Sequence, residues 1–226
     1  MQESWPRLLA QTASGLGIAL KEQQVDLFIR YHQELIAWNK KINLFSRTAS
    51  DDSILKHFID SLSAAAFLPL KESTVLDMGS GGGFPGIPLK IAVETLKISL
   101  LEASRKKASF LKHVIRTLQL TGAAVIHNRA EKLMVDEAYR ESFDVVISKA
   151  AFKLPQFLSL GAFFLAPGGI LIAMKGVEIS EEMKEAEPAA VEAGLLLSAS
   201  HAVTLPITGD QRTILIYKKT RNYSGV

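Results

Sequence analysis

The residues best placed to do chemistry are a run of glycines headed by one acid and two further acids spaced behind it. The run is Asp77-Met78-Gly79-Ser80-Gly81-Gly82-Gly83-Phe84-Pro85-Gly86, set between an apolar run and the start of a helix. Glycine lets a backbone turn sharply and lets a ligand approach where a Cβ would stand. In this context the loop reads as a nucleotide or nucleoside site, although a plain structural turn has the same composition. Gly81-x-Gly83-x-x-Gly86 matches the dinucleotide fingerprint letter for letter, and Glu102 lies about where its ribose-binding acid would be. Three details favour S-adenosylmethionine instead. Asp77, at the end of the apolar run, can hold the ammonium of a methionine-derived cofactor. Gly79 opens a D-x-G-x-G pattern two residues ahead of the dinucleotide register. Pro85 and Pro88 remove N–H donors that a pyrophosphate would want at a helix N-terminus.

Glu102 closes the next apolar run, where its carboxylate can accept from both ribose hydroxyls; a surface ion pair to Arg105 or Lys106 is the plainer reading. Ala130-Glu131 follows the third run, where an amide and an acid can meet an adenine edge, unless Glu131 only caps a helix. Lys149 and Lys175 fall at carboxyl ends of later runs, beside the crevice, and a cation there can contact guanine O6 or a phosphate. Both can equally be solvated lysines. Arg105, Lys106, Lys107, Lys112 and Arg116 share one helix face, with Arg129 and Lys132 nearby, a stripe that suits RNA phosphates or simply solvent. His57 lies on an apolar-striped helix, where a hydrogen bond to Asp60 is a better reading than a catalytic base. The chain has no cysteine, which excludes thiolate metal ligands, cysteine nucleophiles and the cysteine chemistry of pyrimidine C5 methylation. Exocyclic amines are typically methylated beside an Asn/Asp-Pro-Pro-aromatic tetrapeptide; Ser148-Lys149-Ala150-Ala151-Phe152 stands in that place, leaving a ring nitrogen or a hydroxyl as target.

These residues need strands to end on and helices to hold them apart. Before residue 70 the pattern is helical: Phe28, Tyr31, Leu35, Trp38 and Ile42 fall on one face, and Ser50-Asp51-Asp52 caps a helix carrying Leu55, Phe58, Leu62 and Ala65, closed by Pro69. Beyond it, runs at 74–78, 98–102, 124–127, 143–148 and 169–174 alternate with amphipathic helices, which predicts βαβ units in a mostly parallel, doubly wound sheet. Runs at 195–201 and 213–218 follow with no helix between them, so the last two strands pair antiparallel. The expected architecture is a helical N-terminal cap (1–70) on a seven-stranded α/β core (71–226). With 48% hydrophobic and 22% charged residues over 226 positions, the chain suits an ordinary globular domain, and its charge of +3 favours no partner. The apolar stretch from Leu160 to Met174 is broken at Pro167-Gly168-Gly169 and too short to span a bilayer, and the first residues carry no secretory signal.

The run Val75 to Leu89, with its Pro85-Gly86-Ile87-Pro88-Leu89, resembles the signature of the bacterial RsmG (GidB) family. So do Trp38-Asn39-Lys40 with Asn43-Leu44, His57 to Ser61, Ser104 to Lys107 with Phe110-Leu111, and Gly209 to Arg212. The resemblance implies a class I, Rossmann-like methyltransferase that carries the methyl group of S-adenosylmethionine to guanine N7 in 16S ribosomal RNA. Its partner would be that RNA or the small ribosomal subunit, and it would work in the cytoplasm as a monomer, without a metal or a membrane. A methyltransferase of the same fold acting on another RNA, a small molecule or a protein is the alternative. By resemblance, cofactor contacts fall on Gly79, Phe84, Ala130, Glu131 and Lys149, joining Asp77, Gly81 and Glu102. RNA contacts fall on Arg105, Lys106, Lys175 and Arg212, and Lys149 is the candidate catalytic group. Lys149 departs from the family's usual arginine, keeping the charge and losing the bidentate fork. Gly82 and Phe84 also depart from the common residues there, without removing a group the chemistry needs.

Overall fold

In the computed structural model, which describes residues 4–45, 51–69, 72–206 and 209–220, the apolar runs become seven strands. They are β1 (Thr74–Met78), β2 (Lys97–Glu102), β3 (Ala123–His127), β4 (Phe143–Lys149), β5 (Leu165–Lys175), β6 (Leu195–Thr204) and β7 (Gln211–Lys219). One sheet takes them in the order β3-β2-β1-β4-β5-β7-β6. The pairs β1–β2, β1–β4, β2–β3 and β4–β5 are parallel, whereas β7 runs antiparallel to both β5 and β6. A strand joined to its neighbour by a short loop can only reverse, which is why β6 and β7, with no helix between them, form the antiparallel pair. Strand order turns back between β1 and β4. The connections leaving their carboxyl ends turn to opposite faces of the sheet, toward the helices Gly86–Ala92 and Leu154–Phe164, and that divergence opens a crevice at this point.

Among the described residues, eight α-helices cover the sheet: α1 (Trp5–Gly15), α2 (Glu22–Asn39), α3 (Asp51–Leu62), α4 (Gly86–Ala92), α5 (Arg105–Thr117), α6 (Ala130–Leu133), α7 (Leu154–Phe164) and α8 (Ser180–Glu192). Side chains alternate across a strand, so one sheet feeds two cores. Val75, Val145, Ile147 and Ile172 join Leu9, Phe28, Phe58, Ile87 and Phe110 on the face under α1–α5. Leu76, Met78, Val146 and Leu171 join Ala130, Phe157, Leu158 and Ala186 on the face under α6–α8. The three N-terminal helices thus bury their stripes in the same core as the first strands. Parallel strands wet on one face are rare, and this cover explains why the chain spends its first sixty-odd residues on helices.

The elements differ from the sequence reading at their ends. Helix α2 stops at Asn39, short of Ile42, because the Asn39 side chain accepts from the amides of Leu44 (2.9 Å) and Phe45 (3.1 Å) and folds the chain back on itself. Helix α3 stops at Leu62, and Ala65 belongs to a separate short 3-10 turn, Ala65–Phe67. Ser50, the expected cap, lies outside the described residues. Strand β5 starts at Leu165, before the Pro167-Gly168-Gly169 break, which it absorbs as a register shift opposite Phe143 and Val145.

Candidate cofactor and substrate site

The glycine loop is held by its own amides. Gly79 and Ser80 both donate to Leu101 O (2.9 and 3.1 Å), while Gly83 and Phe84 both donate to Ser80 O (2.7 and 2.9 Å). Gly81 donates to Glu102 Oε2 (2.9 Å) and Gly86 to Asp77 Oδ2 (3.0 Å). Pro85 has no amide hydrogen to give. From above, the Tyr31 hydroxyl of α2 donates to Gly82 O. With six of its amides committed and Pro85 lacking one, the loop has little left to offer a pyrophosphate. The letters fit that fingerprint and the hydrogen bonds do not.

The acids of the sequence reading are built into this scaffold. Asp77 is fully buried; Gly86 packs so close that a Cβ there would stand 2.7 Å from its Oδ2. Its other oxygen, Oδ1, is buried without a hydrogen-bond partner, and burial above all pushes the carboxyl up to about 7. Asp77 thus shapes the loop from below and opens no surface to the crevice. Glu102 does not pair with Arg105 or Lys106: Oε2 takes the Gly81 amide and Oε1 the Ser104 amide (2.7 Å), tying the loop to the start of α5.

Beside the loop lies a cavity of about 210 Å³ lined by Gly79, Leu101, Glu102, Ala103, Asn128, Arg129, Ala130, Glu131 and Phe152. Glycine is needed at its mouth. Gly79 has φ +75°, and a Cβ there would meet the Cβ of Ala151 at 2.6 Å. Ala130 opens the short helix α6 and is buried; Glu131 is exposed and accepts from Gln156 Nε2 at 3.2 Å. The sequence reading missed Asn128 as a wall of this cavity and had Arg129 only as part of a basic stripe. Both follow β3 at its carboxyl end, where the crevice rule would have found them.

Phe84 and Lys149 lie elsewhere. Lys149 ends β4 on the face that carries Val145 and Ile147, under α3, whereas Ser148 faces the other way and donates to Met78 O (2.9 Å). The Lys149 ammonium donates to His57 Nδ1 (3.2 Å) and Asp60 Oδ2 (3.3 Å) and stands 5.7 Å from the centre of the Phe84 ring. Arg212, at the start of β7, reaches the same Asp60 oxygen at 3.4 Å. The residues expected to bind the cofactor therefore fall into two groups. Gly79, Glu102, Ala130 and Glu131 border the cavity; Phe84 and Lys149 face α3 on the other side of the loop. His57 bonds to Lys149 rather than to Asp60, because the Asp60 carboxylate is engaged by the two cations. Burial first, then the Lys149 ammonium, push His57 down to about 4, which makes it a neutral acceptor at pH 7.

Among the cations expected to touch RNA, Arg105 and Lys106 are exposed on the first turn of α5. Lys175 is not available. Its ammonium donates to Phe152 O and to Glu182 Oε1, both at 2.8 Å, and so pins the loop after β4 to α8. Among the described residues, no group of acids and histidines is arranged to hold a metal ion, and no helix is long and apolar enough to cross a membrane.

The GidB family model, described as rRNA small subunit methyltransferase G, matches residues 24–213. This chain belongs to that family. The ribosomal RNA small subunit methyltransferase G of Syntrophus aciditrophicus is 41% identical over 217 residues, covering 96% of this chain and 90% of its own length. That of Carboxydothermus hydrogenoformans is 40% identical, covering 91% and 88%. Among solved structures, a methyltransferase of Pyrococcus furiosus superposes with a TM-score of 0.60 at 13% identity, covering 85% of this chain and 96% of its own. TYW2 of M. jannaschii, crystallised in complex with AdoMet, gives 0.57 at 19%, covering 76% and 77%. At such identities these two speak for the fold alone: a class I methyltransferase sheet. For a methyltransferase G chain, a cavity walled by Glu102 and Glu131 beside a loop whose amides are spent is a coherent arrangement. It offers acceptors to hydroxyls and amines, with Arg129 as the cation in its wall.

Proposed function

We propose that this chain transfers the methyl group of S-adenosylmethionine to N7 of a guanine in 16S RNA of the small ribosomal subunit. The observation that carries the cofactor is the loop of spent amides set against a carboxylate-walled cavity, in a chain of the methyltransferase G family. Gly79, Glu102, Ala130 and Glu131 would hold the nucleoside. Asp77 and Gly81 would keep the loop in shape behind it, and Phe84 and Lys149 would border the base to be methylated. The target atom comes from the family resemblance and from what the chain lacks: a cysteine for pyrimidine C5, and the tetrapeptide for exocyclic amines.

S-adenosylmethionine held there would supply an electrophilic methyl group on a sulfonium, and its transfer to N7 would require no proton to move. Guanine N7 carries an in-plane lone pair and no hydrogen, so the protein's task is alignment rather than acid–base catalysis. The site agrees. His57, the one imidazole at the crevice cluster, is neutral and already accepts from Lys149. Residues 1–70 act as a cap that brings His57 and Asp60 to the substrate side. The cytoplasm, an isolated monomer and the absence of a metal complete the reading.

The test is methyl transfer from labelled cofactor to naked 16S RNA and to assembled small subunits, followed by digestion to locate the mark. Label recovered as 7-methylguanosine is the expected result. Label on another atom, or on no RNA at all, would overturn the substrate.

A further inference from the structure

Four groups from distant parts of the chain meet on the α3 side of the glycine loop: His57 and Asp60 from α3, Lys149 from β4 and Arg212 from β7. Their side chains are shielded to different degrees: Asp60 is 7% exposed, Lys149 12% and Arg212 22%. Two cations share one carboxylate oxygen and the imidazole is neutral, so within these four groups cations outnumber anions by one. The contacts are also loose. At 3.3 and 3.4 Å they exceed the ~2.7–2.9 Å of a well-made charged hydrogen bond, and Asp60 Oδ1 is left buried with no partner. Burying ions this way gains a fold little or nothing over apolar side chains, so stability gives no account of the cluster.

Its position does. Strand β4 borders the crevice at the switch point, and the Phe84 ring closes the cluster on the loop side, 5.1 Å from the His57 ring and 5.7 Å from the Lys149 ammonium. A largely shielded pair of cations with one face left to solvent, oriented by a single anion, suits an oxygen that accepts from both. We propose that Asp60 is a positioning residue, which yokes Lys149 to Arg212 so that the pair presents to one oxygen acceptor of the RNA. His57 takes a second Lys149 N–H without adding charge, which fixes the direction of the ammonium. Guanine O6 and a neighbouring phosphate share the acceptor chemistry, and both lie within reach of a base held for attack at N7. The inference rests on the methyl-transfer reading above.

The test is a double-mutant cycle on purified full-length protein, with small subunits as substrate and cofactor affinity followed separately by calorimetry. Wild-type protein that methylates neither small subunits nor naked 16S RNA would refute the functional reading before any variant is compared. Asp60→Asn is expected to lower kcat/KM for the RNA about thirtyfold, the worth of one charge-assisted hydrogen bond, with cofactor affinity changed less than about threefold. Asp60→Glu is expected to recover part of the loss. The Asp60→Asn/Lys149→Met double variant should be no worse than the poorer single variant, since both break one device. Losses that multiply, a wild-type rate in Asp60→Asn, or a loss wholly in cofactor affinity would overturn the proposal. If Asp60→Asn does not fold, Asp60→Glu takes its place in the cycle with Lys149→Met, and losses that multiply would refute the yoke. The slope of log KM against log salt separates the two acceptors. It falls by about one in Lys149→Met for a phosphate and stays unchanged for O6.

Discussion

Glu102→Gln tests the scaffold of the cofactor site at its most heavily used point. Each carboxylate oxygen takes one backbone amide, Gly81 at 2.9 Å and Ser104 at 2.7 Å, and the residue is 8% exposed. Glutamine keeps one acceptor oxygen, so in either flip its NH₂ faces one of those amides, donor against donor. One charge-assisted bond is lost and a shielded N–H goes unpaired, together costing about 3 kcal/mol. A small offset comes from Asp77, because Glu102 is one of the charges that raise its pKa and removing it eases the buried carboxyl. For a domain of this size about 3 kcal/mol lowers Tm by roughly 9 °C. Cofactor binding should suffer as well, since the Gly81 end of the loop loosens and the ribose loses its ionised acceptor; a fall of about tenfold to a hundredfold in affinity is expected. Thermal unfolding with and without S-adenosylmethionine, paired with calorimetry, reads both effects. A variant within a degree of wild type, with unchanged affinity, would show that Glu102 is only a surface acid and that the loop does not depend on it.

Gly79→Val is expected to abolish measurable cofactor binding while the chain still folds. A β-branched residue at φ +75° is strained, and its Cβ would press on Ala151 and Phe152 at the cavity wall; retained affinity by calorimetry would refute the site. Asp77 and His57 give stability opposite slopes with pH. Asp77 is raised from 3.8 to about 7, so its contribution is fully present at low pH and is lost as pH rises through about 7. His57 is lowered from 6.5 to about 4, so its contribution is present above 6.5 and is lost as pH falls through about 4. Asp77→Asn removes the first slope, and its urea midpoint should drop more steeply than that of wild type between pH 6.5 and 4; parallel profiles would show Asp77 to be normal. Lys175→Met should cost stability, by about 1–3 kcal/mol for the unpaired Phe152 carbonyl and Glu182 carboxylate, and leave the salt dependence of RNA binding unchanged. A shallower salt slope in that variant would return Lys175 to the RNA surface.

Much was determined by the sequence alone. Alternating β-branched runs and amphipathic helices specify a parallel sheet, because a period of two and a helical period cannot be exchanged, and the helix-free link at the end forces the antiparallel pair. Asp77, Gly79 and Glu102 were legible as candidates because glycine loops and strand-end acids sit at fixed offsets along the chain. Partners were not legible. Asp77 and Glu102 look like ligand-binding acids, and only the packed loop reveals that both accept from backbone amides first. The same amides separate the two fingerprints that the glycines satisfy equally well. Lys149 and Lys175 look alike at their strand ends, yet the alternation of side chains turns Lys149 toward α3, while α8 supplies the glutamate that takes Lys175 out of the crevice. His57 seemed paired with Asp60 from three positions away on one helix. The tertiary structure instead gave Asp60 to Lys149 and Arg212, from strands 89 and 152 residues farther along the chain, because a buried carboxylate goes to the cations that folding brings within reach.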